Sequence, residues 1–189
     1  MKPVAYCLFD TPLGSCGIAW SENPNADTPY AVTSLQLPEA TPDLTESRIA
    51  GSSGGIKSNE IPLPVLKIIK RVRKHLKGVI QDFSDVPIDL GGSAPFVQKV
   101  WEAVRKIPAG QTVTYADLAR TLGRPSLARA VGGALGRNPI PLIIPCHRVL
   151  AAGGKPGGFS AYGGRVTKAK LLAIEGAVVN LCLALDVGT

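Results

Sequence analysis

The hydrophobic pattern of the chain changes at the glycine pair Gly91-Gly92, and this change constrains the fold more than any other feature. Before it, AYCLF, the turn-forming DTPLG, GIAW, the loop SENPNADTP and YAVTSLQL alternate β-branched and aromatic runs with Gly, Pro and Asn. That punctuation predicts short strands in hairpins from Val4 to about Leu37. From Thr41 to Pro64 the composition shifts to Pro, Ser, Gly and Thr, so TESRIAGSSGGIKSNE is expected to be an exposed loop. VLKIIKRVRKHLKG then places Val65, Leu66, Ile68, Ile69, Val72 and Leu76 on one helical stripe, with Lys and Arg on a solvated opposite face. A short strand is expected around PIDL. The chain therefore reads as α/β in two domains, 1–91 and 92–189.

After the glycines the spacing is helical. FVQKVWEAVRKI carries Phe96, Val97, Val100, Trp101, Val104 and Ile107 on one face, and Pro108 with Gly110 ends it. Thr114 can cap a helix YADLARTL, with Asp117 adding an acid to its first turn. Gly123 and Pro125 break that helix, and Ser126 can cap a second, LARAVGGALGR. Two helices joined by a short glycine-containing turn fit either a helix-turn-helix or an ordinary helical hairpin. Gly132 and Gly133 each cost roughly 1 kcal/mol in a helix interior, which suggests that something approaches the backbone closely there. The second helix carries few long polar side chains, chiefly Arg129 and Arg137. If it meets DNA, it does so by shape and phosphate rather than by base edges.

Charge is divided along the same line. Of the formal net +7, residues 1–90 hold 9 basic and 10 acidic side chains, a balance of −1, and residues 91–189 hold 12 and 4, a balance of +8. The excess suits a polyanion as well as it suits a solubilising surface. A composition of 45% hydrophobic and 19% charged residues excludes an intrinsically disordered chain. No apolar run reaches the roughly 20 residues of a membrane span, and MKPVAYCLFD lacks a signal-peptide pattern, so a cytoplasmic, non-membrane protein is expected. Cys7, Cys16, Cys146 and Cys182 form no CxxC pair, and free thiols are expected. A metal site from Cys7, Cys16 and His75 is the alternative for the first two.

The chemistry concentrates in NPIPLIIPCHRVLAAGG. Asn138-Pro139 reads as a turn and LII as a short buried strand ended by Pro145. A thiol reacts as its thiolate, so Cys146 beside His147 and Arg148 has the makings of an activated nucleophile. Adjacent residues of an extended chain point to opposite faces, so direct Cys146–His147 contact requires a turn or a bridging water. Glu175, one of four acids after residue 90, is the candidate to orient the histidine. The competing reading is an inert core cysteine.

IPCHRV, preceded by VTYADLA, ARAVGGAL and NPIP and followed by a glycine-rich loop and LLAIEG, resembles the O6-alkylguanine-DNA alkyltransferases. The resemblance runs through residues 95–176 and extends weakly into TPLG and SLQLPEAT. It implies a ribonuclease-H-like N-terminal domain followed by a mostly helical domain with a winged-helix-like helix-turn-helix. It further implies repair of O6-alkylguanine, and less well O4-alkylthymine, in double-stranded DNA by one irreversible transfer to a cysteine of the protein itself. By the same resemblance Cys146 is the acceptor, His147 takes its proton through a water, and Glu175 orients His147. Tyr115 helps rotate the nucleotide and supplies a proton to guanine. Arg129 replaces the extruded base, Asn138 is a hinge, and Ser160, Ala161, Tyr162 and Gly163 line the alkyl-guanine pocket.

The helix bearing Arg129 and Gly132 would enter the minor groove, with Arg124, Arg137 and also Arg120 near phosphates. Arg165, Lys168 and Lys170 are read in the same way. Arg148 is taken as a structural ion-pair partner, and no cofactor, no metal and a monomer are expected. Two other classes remain: a DNA-binding module that transfers nothing, and a cysteine hydrolase built on Cys146, His147 and Glu175. The tail GAVVNLCLALDVGT is apolar enough to pack as a strand.

Overall fold

The computed structural model describes residues 3–23 and 28–177. The apolar tail and Cys182 fall largely outside that range. The chain divides into two compact units, Met1–Gly92 with Pro139–Pro141, and Ser93–Asn138 with Leu142–Thr189.

In the first unit β1 (Val4–Thr11), β2 (Gly14–Glu22) and β3 (Tyr30–Gln36) form the antiparallel hairpins expected from the turn residues. The β1/β2 register pairs Cys7 with Ile18 and Phe9 with Cys16, so these four share one face. Tyr6 and Ala19 pair on the other face and pack on Ile49. Ile49 belongs to α1 (Pro42–Ser53), a helix where the composition suggested an open loop. It buries only Thr45 and Ile49, too few to show as an apolar stripe, yet its ends carry strong signals. Thr41 accepts from the Leu44 amide, Pro42 stands in the first turn, and Gly54 closes the helix at φ 61°. Gly17 is required beneath it, because a Cβ there would lie 2.9 Å from the Ile49 side chain.

After α1 the chain returns as β4 (Ile56–Lys57), parallel to β1, giving the sheet order β3-β2-β1-β4. Helix α2 (Leu63–Leu76) covers the Cys7/Phe9 face, where the Arg73 guanidinium sits 5.8 Å above the Phe9 ring. Val65, Ile68, Ile69, Val72 and Leu76 are buried as their spacing requires, whereas Leu66 is exposed and His75 takes its place in the buried stripe. PIDL forms no strand; it makes a single bridge between Ile88 and Val32. Cys7 and Cys16 are buried free thiols, and burial pushes them up to about 11 and about 12. Among the described residues no three His, Cys, Asp or Glu side chains cluster as a metal site, so Cys7, Cys16 and His75 do not come together as one. No described helix is long and apolar enough to cross a membrane.

In the second unit α3 (Pro95–Arg105) buries Val97, Val100, Trp101 and Val104, and the Trp101 indole donates to the Ala134 carbonyl at 3.0 Å. Then follow β5 (Val113–Thr114), α4 (Tyr115–Thr121) and α5 (Ala128–Gly136). Thr114 and Asp117 form a full capping box on α4. Ser126 does not cap α5: it lies inside a 3₁₀ turn, Pro125–Leu127, that takes up the start of the expected helix. β6 (Val149–Leu150) pairs parallel with β5, and α6 (Gly164–Ile174) ends at Glu175.

Candidate active site

Backbone geometry presents the cysteine. Leu142 and Ile143 form a turn, not the strand their apolarity suggested, and Leu142 is held at φ 70° although 1% exposed. A leucine in this left-handed region costs about 1–2 kcal/mol, sustained by the packing around it. Pro145 follows at φ −79°, ψ 63°, and the Cys146 amide donates across it to the Ile144 carbonyl at 2.8 Å. This is an inverse γ-turn with φ fixed by the proline ring. Cys146–Arg148 then form one 3₁₀ turn in place of an extended chain.

Asn138 locks this arrangement from the end of α5. Its Nδ2 donates to the Ile144 carbonyl at 2.7 Å and to Cys146 Sγ at 3.1 Å. Burial pushes the Cys146 thiol up, and the Asn138 donor followed by the Lys168 charge work against that. The phosphate contact expected of Lys168 is excluded by its position. It is 0% exposed, with Nζ donating to the Val149 carbonyl at 2.7 Å and lying 5.9 Å from the Tyr115 ring centre. Desolvation pulls its ammonium down to about 8, while the Cys146 charge opposes the shift. The sequence held a clue: Lys168 and Glu175 lie seven residues apart, on the same side as the buried Leu171 and Leu172.

Next to the thiol lies a closed chain of polar groups. His147 Nε2 is 2.9 Å from Glu175 Oε1, and both side chains are 0% exposed. Arg148 donates from Nε to Oε2 at 2.9 Å and from Nη2 to Oε1 at 2.7 Å, and its Nη1 donates to the Ile107 carbonyl at 2.5 Å. An ionised carboxylate can only accept, so the pair with Glu175 places a proton on His147 Nε2.

Tyr115 opens α4 directly after β5, and the β5/β6 pairing carries it to the site. Burial first and the Cys146 charge second push its phenol up. Gly157, at φ 67°, lies against it: a Cβ there would meet Tyr115 Cε2 at 3.2 Å and its hydroxyl at 3.3 Å. Gly132 and Gly133 differ, since a Cβ would meet only Tyr115 at 3.8 Å or Arg137 at 3.8 Å, so no close approach among the described residues accounts for them.

Arg124, Arg129 and Arg137 are exposed around the helix pair; Arg120 is also exposed but pairs with Asp117 at 2.7 Å. Ser160 and Tyr162 are exposed, Ala161 is half-buried, and Gly163 begins α6 at φ 79°. A Cβ on Gly163 would lie 2.5 Å from the Thr167 hydroxyl, which donates to the Tyr162 carbonyl at 2.6 Å. Arg165 and Lys170 are exposed on α6.

Known proteins resemble the chain in sequence and in fold. A sequence model described as the DNA-binding domain of 6-O-methylguanine DNA methyltransferase matches residues 95–177. The methylated-DNA–protein-cysteine methyltransferase of Mycobacterium bovis is 32% identical over 169 residues, 89% of this chain and 90% of the relative. That of Methanothermobacter thermautotrophicus is 40% identical over 115 residues, 61% of this chain and 63% of the relative. The Mycobacterium tuberculosis O6-methylguanine methyltransferase shares the mixed α/β fold with a TM-score of 0.72 at 34% identity, covering 95% of this chain and 98% of its own. The M. tuberculosis OGT solved in complex with DNA gives 0.69 at 31% identity over the same shares. With a relative matched over nine tenths of its length and a solved structure over nearly all of its own, the chain belongs to the family of methylated-DNA–protein-cysteine methyltransferases.

Proposed function

We propose that this protein repairs DNA by moving the alkyl group of O6-alkylguanine, and less readily of O4-alkylthymine, from duplex DNA onto Sγ of Cys146. The observation that carries the reading is a buried thiol beside an amide donor and a buried ammonium, followed at once by the His147–Glu175–Arg148 chain. The names of the relatives and the DNA complex of one of them support the substrate class.

The target base is buried in the duplex, so it must be flipped out, at a cost of roughly a few kcal/mol that is least for a damaged pair. Helix α5 approaches the minor groove, where Gly132 leaves room for the sugar-phosphate backbone. Arg129 fills the gap left in the stack, and Arg124 and Arg137 contact phosphates. Asn138 joins this helix to the reacting loop as its hinge. Ser160, Ala161, Tyr162 and Gly163 line the pocket for the flipped base.

The resting thiol is kept protonated by burial and gives its proton, through a bridging water, to His147 Nδ1. Glu175 steadies the imidazolium that forms, and Arg148 holds Glu175. Sγ attacks the alkyl carbon, the carbon–O6 bond breaks, and its electron pair leaves with guanine. Tyr115, kept as a phenol by its raised pKa, donates a proton to the departing base. The product is a thioether that does not hydrolyse, so each molecule acts once and the chemistry needs no cofactor.

The sheet order β3-β2-β1-β4, with a helix between β3 and β4, supports a ribonuclease-H-like N-terminal domain. The β5/β6 pair flanking α4 and α5 supports a winged-helix-like second domain, with the boundary near residue 91. The protein is read as a monomer acting on double-stranded DNA in the cytoplasm.

The test is to incubate the protein with duplex carrying a labelled O6-methyl group and map the label by peptide mass. One equivalent on the Cys146 peptide is expected. Many turnovers with no adduct would point to a hydrolase, and binding without transfer to a lesion-binding module.

A further inference from the structure

Helix α2 carries the strongest concentration of charge outside the active site. Lys67, Lys70, Lys74 and Lys77 recur at intervals of three, four and three residues, and all four are exposed. At 100° per residue they fall within an arc of roughly 80°, opposite the buried stripe of Val65, Ile68, Val72 and Leu76. Among the described residues none of the four lysines makes an ion pair. The arginines of the same helix are engaged instead: Arg71 grips Asp85 at 2.6 and 2.9 Å, and Arg73 donates to the Asp10 carbonyl at 2.9 Å.

Helix stability does not explain the ridge. α2 contains no acidic residue, so its neighbouring lysines repel one another. The macrodipole favours Lys74 and Lys77 in and after the last turn, yet gives nothing to Lys67 and Lys70, which lie before that turn. The ridge also stands in the half of the chain with a net charge of −1, so it is a local concentration rather than a share of a general excess.

We infer that this ridge is a second, sequence-independent contact for the phosphate backbone of nucleic acid, separate from the α4/α5 surface. Ten steps of 1.5 Å from Lys67 to Lys77 make it about 15 Å long, which matches about four phosphates of one strand at 3.4 Å of axis each. A membrane surface fits less well, because an interfacial helix inserts its apolar face and that of α2 is buried against the sheet. The inference rests on the duplex-DNA reading above, and it adds phosphate contacts from the first unit of the chain to those of α4 and α5 in the second. Those phosphates belong either to the lesion duplex or to a neighbouring segment.

The test compares the full chain with a variant carrying Lys67→Gln, Lys70→Gln, Lys74→Gln and Lys77→Gln, with unchanged thermal melting as the folding control. Affinity for undamaged 12- and 40-base-pair duplexes is measured across a salt series. The slope of log K against log salt should shrink by roughly 2–4 in the variant, and replacing the four lysines by Arg should restore it. Loss on both duplexes assigns the contact to the duplex that α5 itself holds, and loss on the longer one alone to a neighbouring segment. In the wild-type complex the four lysines should be protected from acetylation. Equal slopes, or equal acetylation with and without DNA, would overturn the inference. So would loss of binding to phosphatidylserine vesicles with DNA affinity unchanged. Methyl transfer from free O6-methylguanine to Cys146 should be the same in both proteins. If wild type itself transfers nothing, it is the repair reading that fails, and the salt slopes still decide the fate of the ridge.

Discussion

Arg148 holds both carboxylate oxygens of Glu175, Nε on Oε2 at 2.9 Å and Nη2 on Oε1 at 2.7 Å, and the second of these oxygens also receives His147 Nε2. The ring orientation of the histidine is therefore set by a guanidinium that need not touch the substrate.

Removing one partner of a buried ion pair leaves the other charge uncompensated, at a cost of about 3–5 kcal/mol. Arg148→Met should lose stability on that scale in urea denaturation. Arg148→Lys keeps the charge but not the two-pronged grip. It should lose less stability and still transfer the alkyl group several-fold more slowly. A wild-type rate in Arg148→Lys would break the proposed link between Arg148 and His147.

Lys168 opposes the upward push that burial gives the Cys146 thiol. Lys168→Met should therefore shift the reactivity of Cys146 toward a small alkylating reagent to higher pH. Stability supplies a second readout. The ammonium is lowered to about 8 in the fold against 10.5 as its ordinary value, so between those pH values the unfolded chain holds a proton that the native one has released. On this account the Lys168 contribution rises with pH across that window and is lost as pH falls through about 8. The difference between wild type and Lys168→Met, followed by denaturation from pH 7 to 10.5, should show that rise. A flat difference would mean that the lysine is not desolvated as its burial requires.

Two glycine substitutions should act in opposite directions. Gly157→Ala puts a Cβ 3.2 Å from the Tyr115 ring at a positive φ, and should cost about 1–2 kcal/mol along with part of the transfer rate. Gly132→Ala meets nothing closer than 3.8 Å and should stabilise α5 by about 0.5–1 kcal/mol. If a DNA backbone passes there, the same change weakens duplex binding. Calorimetry and a binding titration on the one variant separate the two effects; a more stable protein with unaltered affinity would remove the minor-groove approach.

Arg129 is exposed on α5. Arg129→Ala should slow repair in duplex at least ten-fold while leaving transfer from free O6-methylguanine within two-fold. Equal losses on both substrates would count against a role in base flipping.

The hairpins, the α2 and α3 stripes and the Thr114 cap were legible because each is a local pattern with one dominant period or one strong cap. Helix α1 was not: its interior is Ser- and Gly-rich, and its existence rests on end signals and on Ile49 fitting over Gly17. At the site, the proximity of Cys146, His147 and Arg148 is written in three consecutive letters. The spacing of Lys168, Leu171, Leu172 and Glu175 puts the lysine and the glutamate on one side of α6, but which groups they meet there depends on how α6 packs, which no window of sequence contains. The left-handed Leu142 is equally silent, since its side chain reads only as core.

The pairing of Val113–Thr114 with Val149–Leu150 is parallel, and parallel neighbours cannot be joined by a tight turn. Everything between them, α4, α5 and the Cys146 turn, is one long crossover loop pinned at both ends by four residues. The stretch read as lesion-seeking and the stretch that carries the thiol are thus a single closed circuit of chain. A shortened variant that drops α4 and α5 to leave a DNA-blind acceptor would lose the return path that brings Val149 back beside Val113, and Cys146 with it.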